Sequence, residues 1–336
     1  MALQKQTERL AIAKRRLELV LKARTVAAWR TLEQKISDAG PGPMRVDPHV
    51  LTQARKKLVD LGIIDKTAFG SSNTPWFHLV RAAPEDVAAK LAELGPIHAA
   101  LQVHSFKIRM GQTLEIAAYR AFIGQPAFKT FGAYTDLDEH NDATAYTKEE
   151  PPSVISGRKS KGKLDFILTT VDNDVLGVEL KNIREWIYPD RPEIKELLRK
   201  CTDLEVLPVL IARRLLYVTF KLLNTCGVII HQTYNQLFPE ADAELAAKAS
   251  DKALLGYHDI RLGNEPDARL LKFVNENLPP LAKSMRPAFD EYKDLLADFA
   301  NDVTNYRVFA AKVRRRSRGT NEDNDWPDSD PDDGDY

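Results

Sequence analysis

Residues 165–181 read DFILTTVDNDVLGVELK, and the parsing of this stretch decides the fold. Two apolar runs rich in β-branched residues, 163–171 and 175–180, flank Asp172, Asn173 and Asp174, side chains that favour a turn. The pair is therefore a β-hairpin. Side chains alternate along a strand, so Glu179 and Lys181 share one face while Val178 and Leu180 share the other. A register that brings Asp165 to the first face gathers two carboxylates and an ammonium. Two carboxylates suit a hard divalent cation, and a lysine beside them holds a phosphate or helps activate a water. The competing account makes Glu179 and Lys181 a solvated pair on an exposed sheet, worth roughly 0.2–1 kcal/mol. It predicts polar residues at 175 and 177, where the chain has Val175 and Gly177. A charge pair ending an otherwise buried strand needs a partner or a task.

Working outward, an amphipathic helix is predicted over 111–122 and a strand over 127–134. Residues 136–162 form a polar inserted loop carrying Pro151, Pro152 and the bases Arg158, Lys159 and Lys161. After the hairpin the pattern gives a helix over 192–203, entered at Pro192, a favoured first-turn position. A strand over 207–211, a helix over 215–223 and a strand over 227–232 complete the series. The predicted class is α/β, with a central mixed β-sheet flanked by helices.

Helix, three strands, helix, strand, helix and strand, with Asp165, Glu179 and Lys181 on the second and third strands, resembles the PD-(D/E)XK nuclease superfamily. The chain supplies Asp-X13-Glu-X-Lys, with Leu164 where the family name has proline, a position without chemistry. The resemblance covers about 120 residues and implies a restriction-endonuclease-like core. It implies that Asp165, Glu179 and the carbonyl of Leu180 hold Mg²⁺, for which Mn²⁺ substitutes, while Lys181 positions the attacking water. Glu115, on the first core helix, matches the family's helical glutamate as a further catalytic and metal-binding residue. Gln232 stands near a position where relatives of junction resolvases often carry a polar side chain. Arg184, just past the lysine, and Arg213, just past the next strand, are placed to meet phosphates.

The N-terminal part adds a second resemblance. Residues 3–37 have helical periodicity, Pro41 to Pro43 breaks it, and a second helix runs from Pro48 to Leu61. A short hairpin follows, with a Gly70-Ser-Ser-Asn73 tip. Over residues 25–82 this is similar to a winged helix-turn-helix domain, in which Arg55, Lys56 and Lys57 lie on the helix that would contact DNA. A helix over 84–94 ends at Gly95-Pro96, giving domains 1–95, 96–240, a helical extension 241–318 and an acidic tail 319–336. The net charge of zero conceals segregation: residues 321–336 hold eight acids and no bases, so the remainder carries 48 bases against 40 acids. A basic body fits a polyanion such as DNA. Lys312 to Arg318 adds five bases near the end. Two cysteines, Cys201 and Cys226, have no disulfide-framework or zinc-ligand spacing, and no apolar run is long enough to span a membrane. The expected setting is the cytoplasm. The expected function is Mg²⁺-dependent hydrolysis of DNA, with a homodimer if both strands are cut. The rivals are a non-catalytic DNA-binding scaffold and a nuclease of RNA or single-stranded ends.

Overall fold

In the computed structural model the described residues are 2–38, 46–70, 74–138 and 142–320, with side chains from residue 7 onward. They form two compact units. The first comprises residues up to Lys107 together with 243–260, and the second comprises 108–242 and 261–320.

The first unit begins with α1 (Ala2–Arg24), β1 (Val26–Ala28), α2 (Trp29–Ile36) and α3 (Pro48–Asp60). The helical periodicity read over 3–37 is interrupted at Thr25, whose φ of +64° no helix accommodates. Val26, Ala27 and Ala28 are all buried, so three apolar positions in strand geometry mimic a helical stripe. Strands β2 (Ile64–Thr67) and β3 (Trp76–Leu79) follow, and the antiparallel sheet has the order β1-β3-β2. Of the Gly70–Asn73 tip, residues 71–73 lie outside the described residues, as do Pro41 and Pro43.

Helix α4 (Pro84–Ala100) runs straight through Gly95-Pro96, so the boundary predicted there is corrected. Gly95 has another reason to exist: a Cβ on it would lie 2.3 Å from the ring of Phe69. It marks a close approach and does not end the helix. Likewise 241–318 is not one extension. Within it α8 (Ala243–Ser250) and the residues to Ile260 belong to the first unit. Arg24 secures that return segment by donating to the carbonyls of Leu254 (2.6 Å) and Lys252 (2.7 Å).

His98, on α4, is 4 % exposed and lies edge-on to the Trp76 ring at 5.4 Å. Burial, reinforced by Arg30 and Lys107, pushes its imidazole down to about 4 from 6.5. Such a group contributes stability that is complete above its unfolded pKa and lost as pH falls from about 6.5 toward 4. The loss is bounded at about 3 kcal/mol. Denaturation at pH 7.5 and 4.5 is expected to show an acid weakening of which His98→Gln removes about 2 kcal/mol. Equal weakening in both proteins would assign it to other groups.

The second unit is a five-stranded mixed sheet with helices. Helix α5 (His104–Ile123) leads to β4 (Phe128–Phe131) and β5 (Ala133–Tyr134), one predicted strand divided at Gly132, whose φ is +95°. The predicted loop 136–162 is partly structured. It holds β6 (Lys148–Glu149), paired with β5, and the small hairpin of β7 (Val154–Ile155) and β8 (Arg158–Lys159). The hairpin follows as β9 (Phe166–Thr170) and β10 (Val175–Lys181), with Asn173 in the turn at φ +65°. Then come α6 (Pro192–Leu204), β11 (Leu207–Ala212), α7 (Tyr217–Thr225) and β12 (Ile229–Gln232). The sheet order is β12-β11-β10-β9-β4, parallel from β10 to β12 and antiparallel at β9 and β4.

Strand β11 is buried at every residue, as an unbroken apolar run in a parallel sheet requires. Gly177 lets α6 approach β10: a Cβ there would lie 2.7 Å from Leu164, 2.8 Å from Cys201 and 2.9 Å from Val206. The exposed-face account of this strand therefore fails. Short α9 (Ala268–Lys272), α10 (Leu278–Ala300) and α11 (Tyr306–Ser317) close the unit, α10 packing on α6. Phe273, Phe289, Leu295 and Phe299 all join the core, so these apolar residues cover this chain's own sheet. Arg316 on α11 is held by Asp294 at 2.5 and 2.7 Å. Residues 321–336 of the acidic tail lie outside the described residues. No described helix is long and apolar enough to cross a membrane.

Candidate active site

The β9–β10 ladder is regular from Val175↔Thr169 to Val178↔Phe166. One residue earlier the Asp165 N–H also donates to the carbonyl of Val178 at 3.0 Å. Two residues of one strand thus face one of the other, which is a β-bulge, a device that re-aims a side chain. It turns the Asp165 carboxylate toward β10, where Oδ2 accepts from the N–H of Leu180 at 2.7 Å. An extended residue directs its N–H and C=O to the same side, so the Leu180 carbonyl faces the Asp165 side too. The Leu180 side chain lies in the core. Gly132 makes room for the bulge, since a Cβ there would meet Asp165 O at 3.1 Å.

Glu179 is 2 % exposed and its two oxygens face two lysines. Oε2 accepts from Lys181 at 2.8 Å and Oε1 from Lys200 at 2.6 Å. On the other side, Glu115 of α5 accepts at Oε2 from Lys148 (2.5 Å) and from the Tyr134 hydroxyl (2.8 Å). Lys148 also lies 3.7 Å from Asp165 Oδ1. Three carboxylates and three ammonium groups therefore alternate at the carboxyl end of β10, beside the carboxyl end of parallel β11, the place where open α/β sheets bind ligands.

Burial holds the Asp165 carboxyl above the ordinary carboxylate range, and Glu115 adds to the rise. Burial also raises Glu179, with the Asp165 charge reinforcing it. Burial by itself would lower the lysines. The carboxylates outweigh it, Glu179 and Asp165 raising Lys181, and Glu115 and Asp165 raising Lys148. Lys200 is raised in the same way by Glu179. The three ammonium groups are firmly charged.

Hard oxygen donors from Asp165, Glu179, Glu115 and Leu180 are the chemistry Mg²⁺ or Mn²⁺ selects. Among the described residues, no three His, Cys, Asp or Glu side chains converge closely enough to hold a metal ion as they stand. The donor set fits the ion in kind, and the ammonium groups of Lys148, Lys181 and Lys200 stand against the same oxygens. An incoming cation would displace them.

Asp165, Glu179, Lys181 and Glu115 are thus brought together, and other predicted site residues are engaged elsewhere. Arg213 is 1 % exposed and donates to the Arg184 carbonyl at 3.0 Å, so it braces a loop and does not reach out to phosphate. Arg184 itself donates to Gln236 Oε1 at 2.9 and 2.5 Å. Gln232 Oε1 accepts from the Leu215 N–H at 3.0 Å, fixing the entry to α7. Arg158 pairs with Glu205 at 2.8 Å, while Lys159 and Lys161 are exposed. Arg55 lies 4.5 Å from the Trp29 ring centre and 5.2 Å from that of Phe77, a packed cation–π position, whereas Lys56 and Lys57 are exposed.

Sequence reasoning missed Lys200, Lys148 and Tyr134. Lys200 had a signal, because it falls three residues after Leu197 and four before Leu204 on the buried stripe of α6. A lysine there needs a buried acid. Lys148 had none, standing in a polar stretch whose return to the sheet is a tertiary event. Protein-family profiles, curated proteins and solved structures were compared with the chain, and none matches it.

Proposed function

We propose that this chain is a metal-dependent phosphodiesterase acting on DNA, with a restriction-endonuclease-like core of the PD-(D/E)XK kind. The observation that carries the reading is the bulge at Asp165, which sets its carboxylate beside Leu180 while Glu179 and Lys181 end the same strand and Glu115 approaches from α5. Structural ion-pair networks have no need of a bulged acid. Asp165, Glu179 and the Leu180 carbonyl would hold Mg²⁺, with Glu115 completing its surroundings. When bound, the ion neutralises charge on the phosphodiester and acidifies water. Once displaced from Glu179, Lys181 orients the nucleophile and offsets charge building on the phosphate oxygens. Until the ion enters, Lys148 and Lys200 hold Glu115 and Glu179 in place.

The first unit resembles a winged helix, and exposed Lys56 and Lys57 on α3 suit backbone phosphates. The two free, buried cysteines suit a reducing cytoplasm. Cutting both strands would require two copies, one active site for each strand.

The test is cleavage of supercoiled plasmid and labelled duplex by the purified chain. Activity is expected only with Mg²⁺ or Mn²⁺, and Asp165→Ala and Lys181→Ala are each expected to lose at least about a hundredfold. Retained cleavage in either variant would exclude the mechanism. A second reading, a binding scaffold without catalysis, is favoured by one observation: the acids are already neutralised by lysines. Calorimetry separates the two, since a scaffold would bind DNA tightly and Mg²⁺ not at all.

A further inference from the structure

Strands β10, β11 and β12 end side by side, Lys181 opposite Ala212 and Ala212 opposite Gln232. The loops leaving those ends carry an alternating ladder that the hydrolytic reading does not use. The Arg214 guanidinium lies 5.5 Å from the Trp186 ring centre and 5.6 Å from that of Tyr234, and Arg269, on α9, lies 5.4 Å from that of Tyr234. The ladder is anchored by backbone: Ile187 N–H donates to Arg214 O at 3.2 Å, and Tyr234 N–H to Arg213 O at 3.1 Å. Trp186 is five residues beyond Lys181, so the chain keeps it within ~17 Å of the catalytic lysine.

Tyr234 is the unusual member. Its φ is +61°, a left-handed conformation costing about 1–2 kcal/mol in a side-chain-bearing residue, yet the residue is 41 % exposed. Strain at an exposed aromatic is an observation that points toward function. Aromatic rings interleaved with guanidinium groups are what single-stranded nucleic acid meets in its binding proteins: bases stack on the rings and arginine planes, and cations follow the phosphates. In a closed duplex the base faces are already covered by their neighbours, so a stacking platform selects unpaired nucleotides.

We infer that exposed Tyr234 and Arg269, with buried Arg214 bracing Tyr234 against Trp186, form a base-stacking platform for unpaired nucleotides, directing the site toward substrates with single-stranded ends, gaps or flaps. This rests on the nuclease reading for its purpose, though the binding is measured without cleavage. The experiment is fluorescence anisotropy of the full chain without divalent metal, using a 20-nucleotide oligothymidine, an oligouridine of equal length and a closed hairpin duplex. The wild type is expected to bind the single strands more tightly than the hairpin. Tyr234→Gly suits the left-handed backbone and so keeps the fold; it is expected to weaken single-strand binding about tenfold while changing hairpin binding less than twofold. Tyr234→Trp is expected to restore it. Arg269→Ala, at an exposed position on α9, should lose several-fold on the same probes.

Equal wild-type affinity for single strand and hairpin, or equal losses on both in Tyr234→Gly, would overturn the platform. Binding of only one of the two single strands keeps it and narrows the substrate to that strand type. Plasmid cleavage in parallel separates the two ideas. Selective Tyr234 losses without Mg²⁺-dependent cleavage leave the platform and remove the nuclease; cleavage with an indifferent Tyr234 does the reverse.

Discussion

Replacing Glu179 with alanine is expected to lower the stability of the chain by about 3–5 kcal/mol, besides abolishing the proposed metal-dependent activity. Glu179 is 2 % exposed, and its removal leaves Lys181 and Lys200 without the anion they share at 2.8 and 2.6 Å. An uncompensated charge at a largely buried site is what makes a broken buried pair so damaging, far more than the pair itself contributes. Glu196, 3.1 Å from Lys200 but half exposed, offers only partial relief. Two companions make the account testable by guanidinium denaturation at pH 7. Glu179→Gln keeps the volume and one acceptor and should cost less. Lys200→Met added to Glu179→Ala should recover much of the loss, because it removes an orphaned charge and places an apolar chain against the core. Purely additive losses in the double variant would contradict the ion-pair explanation. Stability is expected to return in that variant and the proposed cleavage is not, because a carboxylate of the proposed metal site is still missing.

Gly227→Ala is expected to destabilise by about 2–5 kcal/mol, for reasons remote from the site. Gly227 closes α7 through a 6→1 bond from Val228 N–H to Leu223 O and a 5→2 bond from its own N–H to Asn224 O, with φ at +80°. A left-handed alanine costs about 1–2 kcal/mol. The larger part is steric, since its Cβ would lie 2.3 Å from Phe289 N and 2.7 Å from Met285 O. Both are backbone atoms of α10 and cannot swing aside, so the helix must shift and overpacking adds about 1–3 kcal/mol. Gly62→Ala supplies the control: φ is +66°, and nothing lies within 4 Å of the added carbon. It should show the conformational cost alone. Equal midpoints for the two variants in denaturant would mean that α10 does not rest on the α7–β12 turn.

The parts of this chain legible in its sequence are those whose signal is local. Asp172 to Asp174 announce a turn, β11 announces a buried strand, and Pro192 with Ile194, Leu197, Leu198 and Cys201 announces an amphipathic helix. Glu179 and Lys181 could be assigned to one place because alternation is a covalent property of a strand. Asp165 followed another rule. Its position depends on a bulge that no local preference encodes, and Gly132, which makes room for it, reads in sequence only as a weak point in a strand. Lys148 reaches the site through the fold of a long insertion, so its partners, Glu115 and Asp165, are 33 and 17 residues away. Thr25 and Gly95 misled in opposite directions. A threonine rarely adopts positive φ, so α1 appeared to continue; glycine before proline commonly ends a helix, so α4 appeared to stop. In both cases packing overrode propensity.

The first unit is not contiguous in sequence, and this bears on how the protein is made. Arg24 completes its hydrogen bonds only with carbonyls 228 and 230 residues further along. During synthesis at ~5–20 residues per second, those partners emerge roughly 10–45 s after the arginine. The nascent N-terminal helices must wait through production of the entire five-stranded sheet before their unit closes. A fragment ending at residue 242 would therefore release a first unit lacking its last piece.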